Sequence, residues 1–215
     1  MNKTEFKKHI QRFLLYPILG KIYLQWFFRP LYIFSSKGLH IGGGSVFQTS
    51  GELWVLKFLR SKYKRRSLGR PVVLFDVGAN KGEYSEAVMK IFDGISGGYQ
   101  LYTFEPSISI FKELSILDGK NASLHLVNMG LSSQTKKQIL YVNNEHSVTS
   151  SLHKGNLKNF GLSVDIQEEV SLITLDDFCS QNGISYIDFL KLDVEGHELE
   201  IFKGAKSDTT GRPVA

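Results

Sequence analysis

The run Asp76-Val77-Gly78-Ala79-Asn80-Lys81-Gly82 follows four apolar residues, Val72 to Phe75, and precedes a helix-like pattern. An acid and two spaced glycines between a strand and a helix suit a ligand-binding turn, because ligands of open α/β sheets sit beyond the carboxyl ends of strands. Gly78 and Gly82 let backbone approach a ligand closely, and the following helix offers free N–H groups at its start. Glu105 ends the next apolar run, 23 residues after Gly82. A carboxylate at that place suits the two hydroxyls of a ribose. The pair of features describes a site for an adenosine-containing cofactor. A dinucleotide fingerprint beginning at Gly78 requires glycine at 80 and glycine or alanine at 83, where this chain has Asn80 and Glu83. A phosphate loop requires Gly-Lys-Ser/Thr, but Gly82 is followed by Glu83 and Tyr84. The acid-x-Gly-x-x-x-Gly spacing fits S-adenosylmethionine better. That ligand is a sulfonium without phosphate, and an acid such as Asp76 favours its cationic end.

These residues need elements to hold them. Val72–Phe75 is a continuous apolar run, as expected of a strand buried on both faces. Glu83–Phe92 carries Tyr84, Ala87, Val88 and Ile91 at helical spacing. Leu101–Phe104 predicts a strand, Ile108–Leu117 a helix capped by Ser107, and Leu124–Val127 a third strand. Lys137–Val142 and Glu169–Ile173 predict added strands, a possible hairpin, around a polar loop at 143–167. Thr174 caps a helix through Leu175 and Phe178, Ile187–Leu192 is a fourth core strand, and Glu195–Phe202 another helix. Strands alternating with helices predict a parallel α/β sheet. The polar loop, with His146 and His153, has the character of a substrate lid or of plain solvated loop.

The first third of the chain differs. The net charge is +5 over 215 residues. Residues 1–70 hold 14 Lys/Arg against Glu5 and Glu52, a net +12, so the remainder is net −7. The expected division is a basic, aromatic, helical extension over 1–60 and a catalytic domain over 61–215. Lys21 and Arg29 interrupt the apolar runs at 13–20 and 22–28, too short to span a bilayer. No small-residue cleavage pattern follows, which disfavours a signal peptide. Two readings of this leader stay open: an interfacial helix presenting Trp26, Phe27, Phe28 and Tyr32 to lipid, or a helix packed on the catalytic domain. The expected location is therefore cytoplasmic, with a peripheral membrane contact through residues 1–35 left open. The single cysteine, Cys179, fits a reducing compartment. The acidic remainder disfavours a nucleic-acid partner; a small-molecule or glycan acceptor is expected.

Five motifs occur in order: Asp76-Val-Gly-Ala-Asn-Lys-Gly-Glu-Tyr-Ser85, Phe104-Glu-Pro-Ser107, Val127-Asn-Met-Gly-Leu-Ser132, Ser150-Ser-Leu152 and Leu190-Lys-Leu-Asp-Val-Glu-Gly-His-Glu198. Together they resemble the FkbM family of methyltransferases, from about Ser50 to Ala205. The resemblance implies a class I (Rossmann-like) S-adenosylmethionine-dependent fold and O-methylation, often of a hydroxyl on a sugar or secondary metabolite. It implies that Asp76, Gly78, Asn80 and Gly82 form the methionine-side loop. Glu105 would hold the ribose with Pro106 and Ser107 beside the adenosine. Asn128 would lie near adenine, unless it is an ordinary turn asparagine. Asp193 would lie where the methyl is transferred.

Methyl transfer needs an in-line nucleophile in a closed site, and a hydroxyl nucleophile must lose its proton during attack. Asp193, Glu195 and His197 cluster after the fourth strand. Asp193 is the favoured residue for the cofactor end or the acceptor hydroxyl, with His197 the alternative base or a helix-surface histidine. Lys191 shares a strand face with Asp193 and can pair with it. Asp193 and Glu195 could hold Mg²⁺, but two carboxylates make a weak case, and no metal is expected. The family resemblance also implies further C-terminal strands. Residues 206–215 contain no strand-length apolar run, so the expected sheet has spatial order 3-2-1-4 with its fourth strand at an edge. A shortened, non-catalytic remnant is the alternative function, and a dinucleotide oxidoreductase is disfavoured by Asn80 and Glu83.

Overall fold

The computed structural model describes residues 21–38, 51–65, 69–142, 150–151 and 166–206. Three consecutive glycines, Gly42 to Gly44, where the sequence predicts a turn, and His146 and His153 lie outside the described residues. The chain divides into two compact units, Met1–Leu53 and Trp54–Ala215. That division falls before the expected boundary at residue 60, for a packing reason. Helix α2 (Glu52–Arg65) buries Leu56, Leu59 and Tyr63. The Tyr63 hydroxyl donates to the Asp188 carbonyl at 3.2 Å. Most of this helix therefore belongs to the larger unit. It also carries Arg60, Lys62, Lys64 and Arg65 in its last two turns.

In the smaller unit, a single turn at Ile22–Leu24 leads into α1 (Gln25–Gly38), which contains Pro30. Among the described residues no helix is long and apolar enough to cross a membrane.

The larger unit is mixed α/β. Strand β1 (Val72–Val77) is buried at every residue, the pattern of a central parallel strand. Helix α3 (Glu83–Phe92) follows, then β2 (Tyr99–Phe104), α4 (Ile108–Leu114) and β3 (Leu124–Val127). Ser107 caps α4 by accepting from the Ile110 N–H. A short β4 (Gly130–Leu131) precedes β5 (Lys136–Val142), β6 (Ser150–Ser151) and β7 (Ile166–Ile173). Helix α5 (Leu175–Gln181) is capped by Thr174, as its position predicts. Strand β8 (Phe189–Leu192) and helix α6 (Glu198–Lys203) complete the described elements.

The central sheet has order β3-β2-β1-β8, every pair parallel, which is the expected 3-2-1-4 arrangement. The order reverses between β1 and β8, and such a switch point is where an open α/β sheet binds its ligand. Among the described residues β8, like β3 at the other end, closes the sheet, and its four residues are only half-buried. A second sheet, β4-β7-β5-β6, contains the expected antiparallel pairing of β5 with β7. Strand β4, pairing parallel to β7, was not foreseen, because two residues are too few to show a periodicity. Phe75, Phe104 and Phe178 pack edge-on and tilted at centroid distances of 4.7–5.9 Å in the main core. The amino end of β8 is tied to β1 by charge. Arg70 donates to both Asp188 carboxylate oxygens at 2.6 and 3.0 Å, and Asp188 also accepts from the Val73 N–H at 2.9 Å.

Candidate active site

A cavity of ≈ 180 Å³ opens at the carboxyl ends of β1, β2 and β8. Val77, Phe104, Leu131 and Leu140 give it apolar walls. Gly78, Asn80, Glu105, Pro106, Asp193, Glu195 and His197 supply its polar and turn-forming part. The sequence thus brought together six of the ten expected site residues on one cavity, and Glu195 with them. Asp76, Gly82, Ser107 and Asn128 do not line it.

The loop after β1 is held by β2, since the N–H groups of Gly78 and Ala79 both donate to the Phe104 carbonyl. Gly78 has φ +77, and a Cβ there would lie 2.0 Å from the Asp193 carbonyl oxygen. Its lack of a side chain is thus needed for the two loops to meet, as well as for access to the cavity. Gly82 was expected to give backbone access to the ligand. Instead it caps α3 at φ +88, and a Cβ there would meet Leu114 and Leu117 within 2.7 Å. Its task is helix packing.

Asp76 differs from expectation in the same way. Its carboxylate is fully buried, accepts from Ser85 Oγ at 2.7 Å and pairs with Lys191 at 3.2 Å. Burial pushes its pKa up, and Lys191 then opposes that shift. Lys191 also lies 3.5 Å from Asp193. The expected Lys191–Asp193 pair exists, but the lysine bridges two carboxylates. Asp76 fastens β1 to β8 beneath the cavity and so helps to place Asp193.

Glu105 faces the cavity from the end of β2 and is only 4% exposed. Its two oxygens accept from the backbone N–H groups of Asn80 (3.0 Å) and Ser107 (2.9 Å). An ionised carboxylate has about four acceptor positions, so these bonds leave capacity for hydroxyl donors. Burial pushes the Glu105 pKa up to about 7, against the two backbone hydrogen bonds. Asn128 donates its amide to the carbonyls of Glu105 and Pro106 at 2.9 and 3.2 Å. It behaves as a turn asparagine that braces the Glu105 turn.

Across the cavity, Asp193 has a well-exposed side chain and its N–H donates to the Val77 carbonyl. Glu195 is pushed up by burial and then by Asp193 and Glu198. His197 is 6% exposed and shares its Nε2 with Ser132 Oγ at 3.0 Å. It is therefore no helix-surface histidine. Among the described residues, Asn80 and Glu195 are the non-glycine residues with positive φ, at 52° and 51°, and both line the cavity. Left-handed backbone in such residues is held by its surroundings and gathers at functional sites. Among the described residues no group of three His, Cys, Asp or Glu side chains is placed to hold a metal.

Glu168, on β7, escaped the sequence reading. Its Oε2 accepts from Ser107 Oγ at 2.8 Å and the Ile108 N–H at 2.9 Å. Burial alone would raise its pKa, but hydrogen bonds from the Ser109 and Ser107 side chains and from backbone outweigh that and lower it. It joins the second sheet to the turn carrying Glu105, and so takes up Ser107, which was expected beside the adenosine. A signal was present. Glu168 alternates with Val170 and Leu172, the buried face of the strand, so an acid there needed a partner.

The fold and cavity define an α/β protein with a partly polar cavity at the switch point of a parallel sheet. Residues 76–213 match the methyltransferase FkbM domain family, which is well over half of the chain, and the protein belongs to that family. No curated protein matches the chain. A crystal structure of methyltransferase FkbM from Methylobacillus flagellatus KT is similar at 17% identity and a TM-score of 0.37, over 74% of this chain and 37% of that one. The chain thus spans well under half the length of that structure.

Proposed function

We propose that this protein transfers a methyl group from S-adenosylmethionine to a hydroxyl of a sugar, glycan or secondary metabolite. The observation that carries this reading is the pairing, across one cavity, of a buried ribose-type carboxylate with an acidic cluster. Glu105 stands at the end of β2, and Asp193, Glu195 and His197 stand beyond β8. The donor set suits the cofactor. Two free lone-pair directions of Glu105 match a ribose diol, the apolar walls match an adenine ring, and the Asp193 side matches a sulfonium. When bound, the cofactor supplies an electrophilic methyl carbon.

The residues of this chain do the rest. Gly78 and Asn80 shape the methionine side, Pro106 flanks the adenosine, and Glu105 orients the sugar. Asp193 orients the acceptor hydroxyl and takes its proton. His197 is the second candidate, but its Nε2 already engages Ser132, so Asp193 is the better placed. Gly82, Asp76, Ser107 and Asn128 support this machinery through packing, the Lys191 bridge and the Glu105 turn.

Calorimetric titration of the full chain with S-adenosylmethionine and with NAD is the direct test, followed by assay of S-adenosylhomocysteine formation with hydroxylated acceptors. Binding of the sulfonium, lost in Glu105→Ala, supports the reading. Binding of NAD alone overturns it. Sulfonium binding without turnover on any acceptor points to a non-catalytic cofactor-binding protein.

A further inference from the structure

The chain contains two tryptophans, Trp26 and Trp54, and both are strongly exposed, at 76% and 68%. Each lies on a helix that exposes further aromatic side chains. On α2, Leu56, Leu59 and Tyr63 point into the core, while Trp54 and Phe58, one turn apart, point outward. The two rings stack with centroids 5.5 Å apart and planes 10° from parallel. Lys57, Lys62 and Lys64 are exposed on the same helix, whose single acid is Glu52. On α1, helical spacing puts Trp26, Phe27, Ile33 and Phe34 within one arc, all at least half exposed, while Phe28, Leu31 and Tyr32 are exposed outside that arc. Lys21, Arg29 and Lys37 accompany them without an acid between residues 21 and 38.

Scattered surface aromatics need no explanation, but aromatic rows ringed by lysine do. We propose that the exposed aromatic faces of α1 and α2 each dock on an anionic lipid bilayer, with rings at the headgroup level and lysines on the phosphates. Three observations favour lipid over other partners. The +12 charge of residues 1–70 is complementary to anionic headgroups and repels a second copy of itself. Helices of this kind, with an apolar aromatic side and basic flanks, lie in the membrane interface. On α2 the Trp54 and Phe58 rings cover one another, which leaves less ring face for the base stacking that single-stranded nucleic acid requires. At 14 residues, α1 rises only about 21 Å. That is short of the ~30 Å core, and the proposed contact is peripheral.

The tryptophans are also the reporters. Emission of the full chain is followed with vesicles of phosphatidylglycerol and phosphatidylcholine in equal parts, and with phosphatidylcholine alone. Trp26→Phe leaves Trp54 as the only reporter, and Trp54→Phe leaves Trp26. A blue shift in both variants with anionic vesicles, weak with phosphatidylcholine alone, is expected. The double variant Lys57→Glu with Lys62→Glu is expected to lower vesicle partition by about tenfold or more while leaving the thermal melt unchanged. An unmoved Trp54 emission overturns the proposal for α2, and an unmoved Trp26 emission overturns it for α1. Salt-sensitive binding to DNA without vesicle binding, or a shift that follows protein concentration without lipid, overturns it for both. None of these outcomes bears on methyl transfer.

Discussion

The cavity and the outer face of α2 break the usual partition of residues in opposite directions. At the cavity, the Glu105 carboxylate is buried beside Val77, Phe104 and Leu131. On α2, Trp54 and Phe58 stand in solvent among lysines. A buried acid and an exposed aromatic cluster are the informative departures from the rule that apolar groups go inside. Each carries a free-energy cost in the isolated protein, and each becomes favourable when a complementary surface arrives. Under the proposed function that surface is, for Glu105, a pair of hydroxyls; under the proposed docking it is, for Trp54, a lipid headgroup layer. The difference teaches where each kind of recognition resides: one in backbone-locked geometry, the other in loosely specified area and charge.

The comparison can be broken most severely at Gly78. Gly78→Ala places a Cβ against the Asp193 carbonyl in left-handed backbone. It is expected to cost more than about 3 kcal/mol in urea unfolding and to abolish cofactor binding, because β1 and β8 can no longer meet. A neutral Gly78→Ala would show that the two loops are not locked together. Next comes Asp193→Asn, which should lower turnover by roughly 10²–10⁴-fold with little change in melting temperature. A larger loss in His197→Gln than in Asp193→Asn would move the proton acceptor to the histidine.

Glu105 sharpens the comparison through pH. Its carboxyl lies at about 7 when folded, above the ordinary 4.5. The folded state therefore holds that proton more tightly than the unfolded chain. The stability contribution is full below pH 4.5 and is lost as pH rises through 7, by roughly 3 kcal/mol in all. Cofactor affinity should run the other way and rise through the same window, as the ionised carboxylate becomes the stronger acceptor. Glu105→Gln should flatten both profiles relative to the native chain, and parallel profiles for the two proteins would refute the assignment.

The smallest effect is expected at Glu168. Glu168→Gln weakens the link from β7 to the start of α4 and should cost about 1–2 kcal/mol. Because hydrogen bonding holds this carboxyl below its ordinary value, its contribution is present above that value and is lost as pH falls through the lowered one. A melt in which the native chain and Glu168→Gln converge only at acid pH would agree. Convergence at neutral pH would not.

Much of this was legible locally. The apolar run Val72–Phe75, the caps at Ser107 and Thr174, and the alternation of strands with helices are short-range patterns that the elements followed. The exception is the helix expected from Glu195, which begins only at Glu198, because Glu195 takes left-handed backbone. The spatial order of the four central strands also followed, because right-handed parallel crossovers leave few topologies. Glu105 and Asp193 could be placed at the same cavity because both end strands of one sheet.

Side-chain direction was another matter. A sequence places Asp76 and Gly82 at the two ends of one turn, but only packing decides which of its members face the cavity. Asp76 turned inward because Ser85 and Lys191 supplied a buried partner set, and Gly82 was claimed by Leu114 and Leu117. Ser107 and Glu168, 61 residues apart, met only when the second sheet closed on the first. Periodicity and turn chemistry act over a few residues, so the chain alone determined its elements and their order. The division of acids and glycines between ligand and scaffold depends on contacts between distant segments, and only the folded molecule decided it.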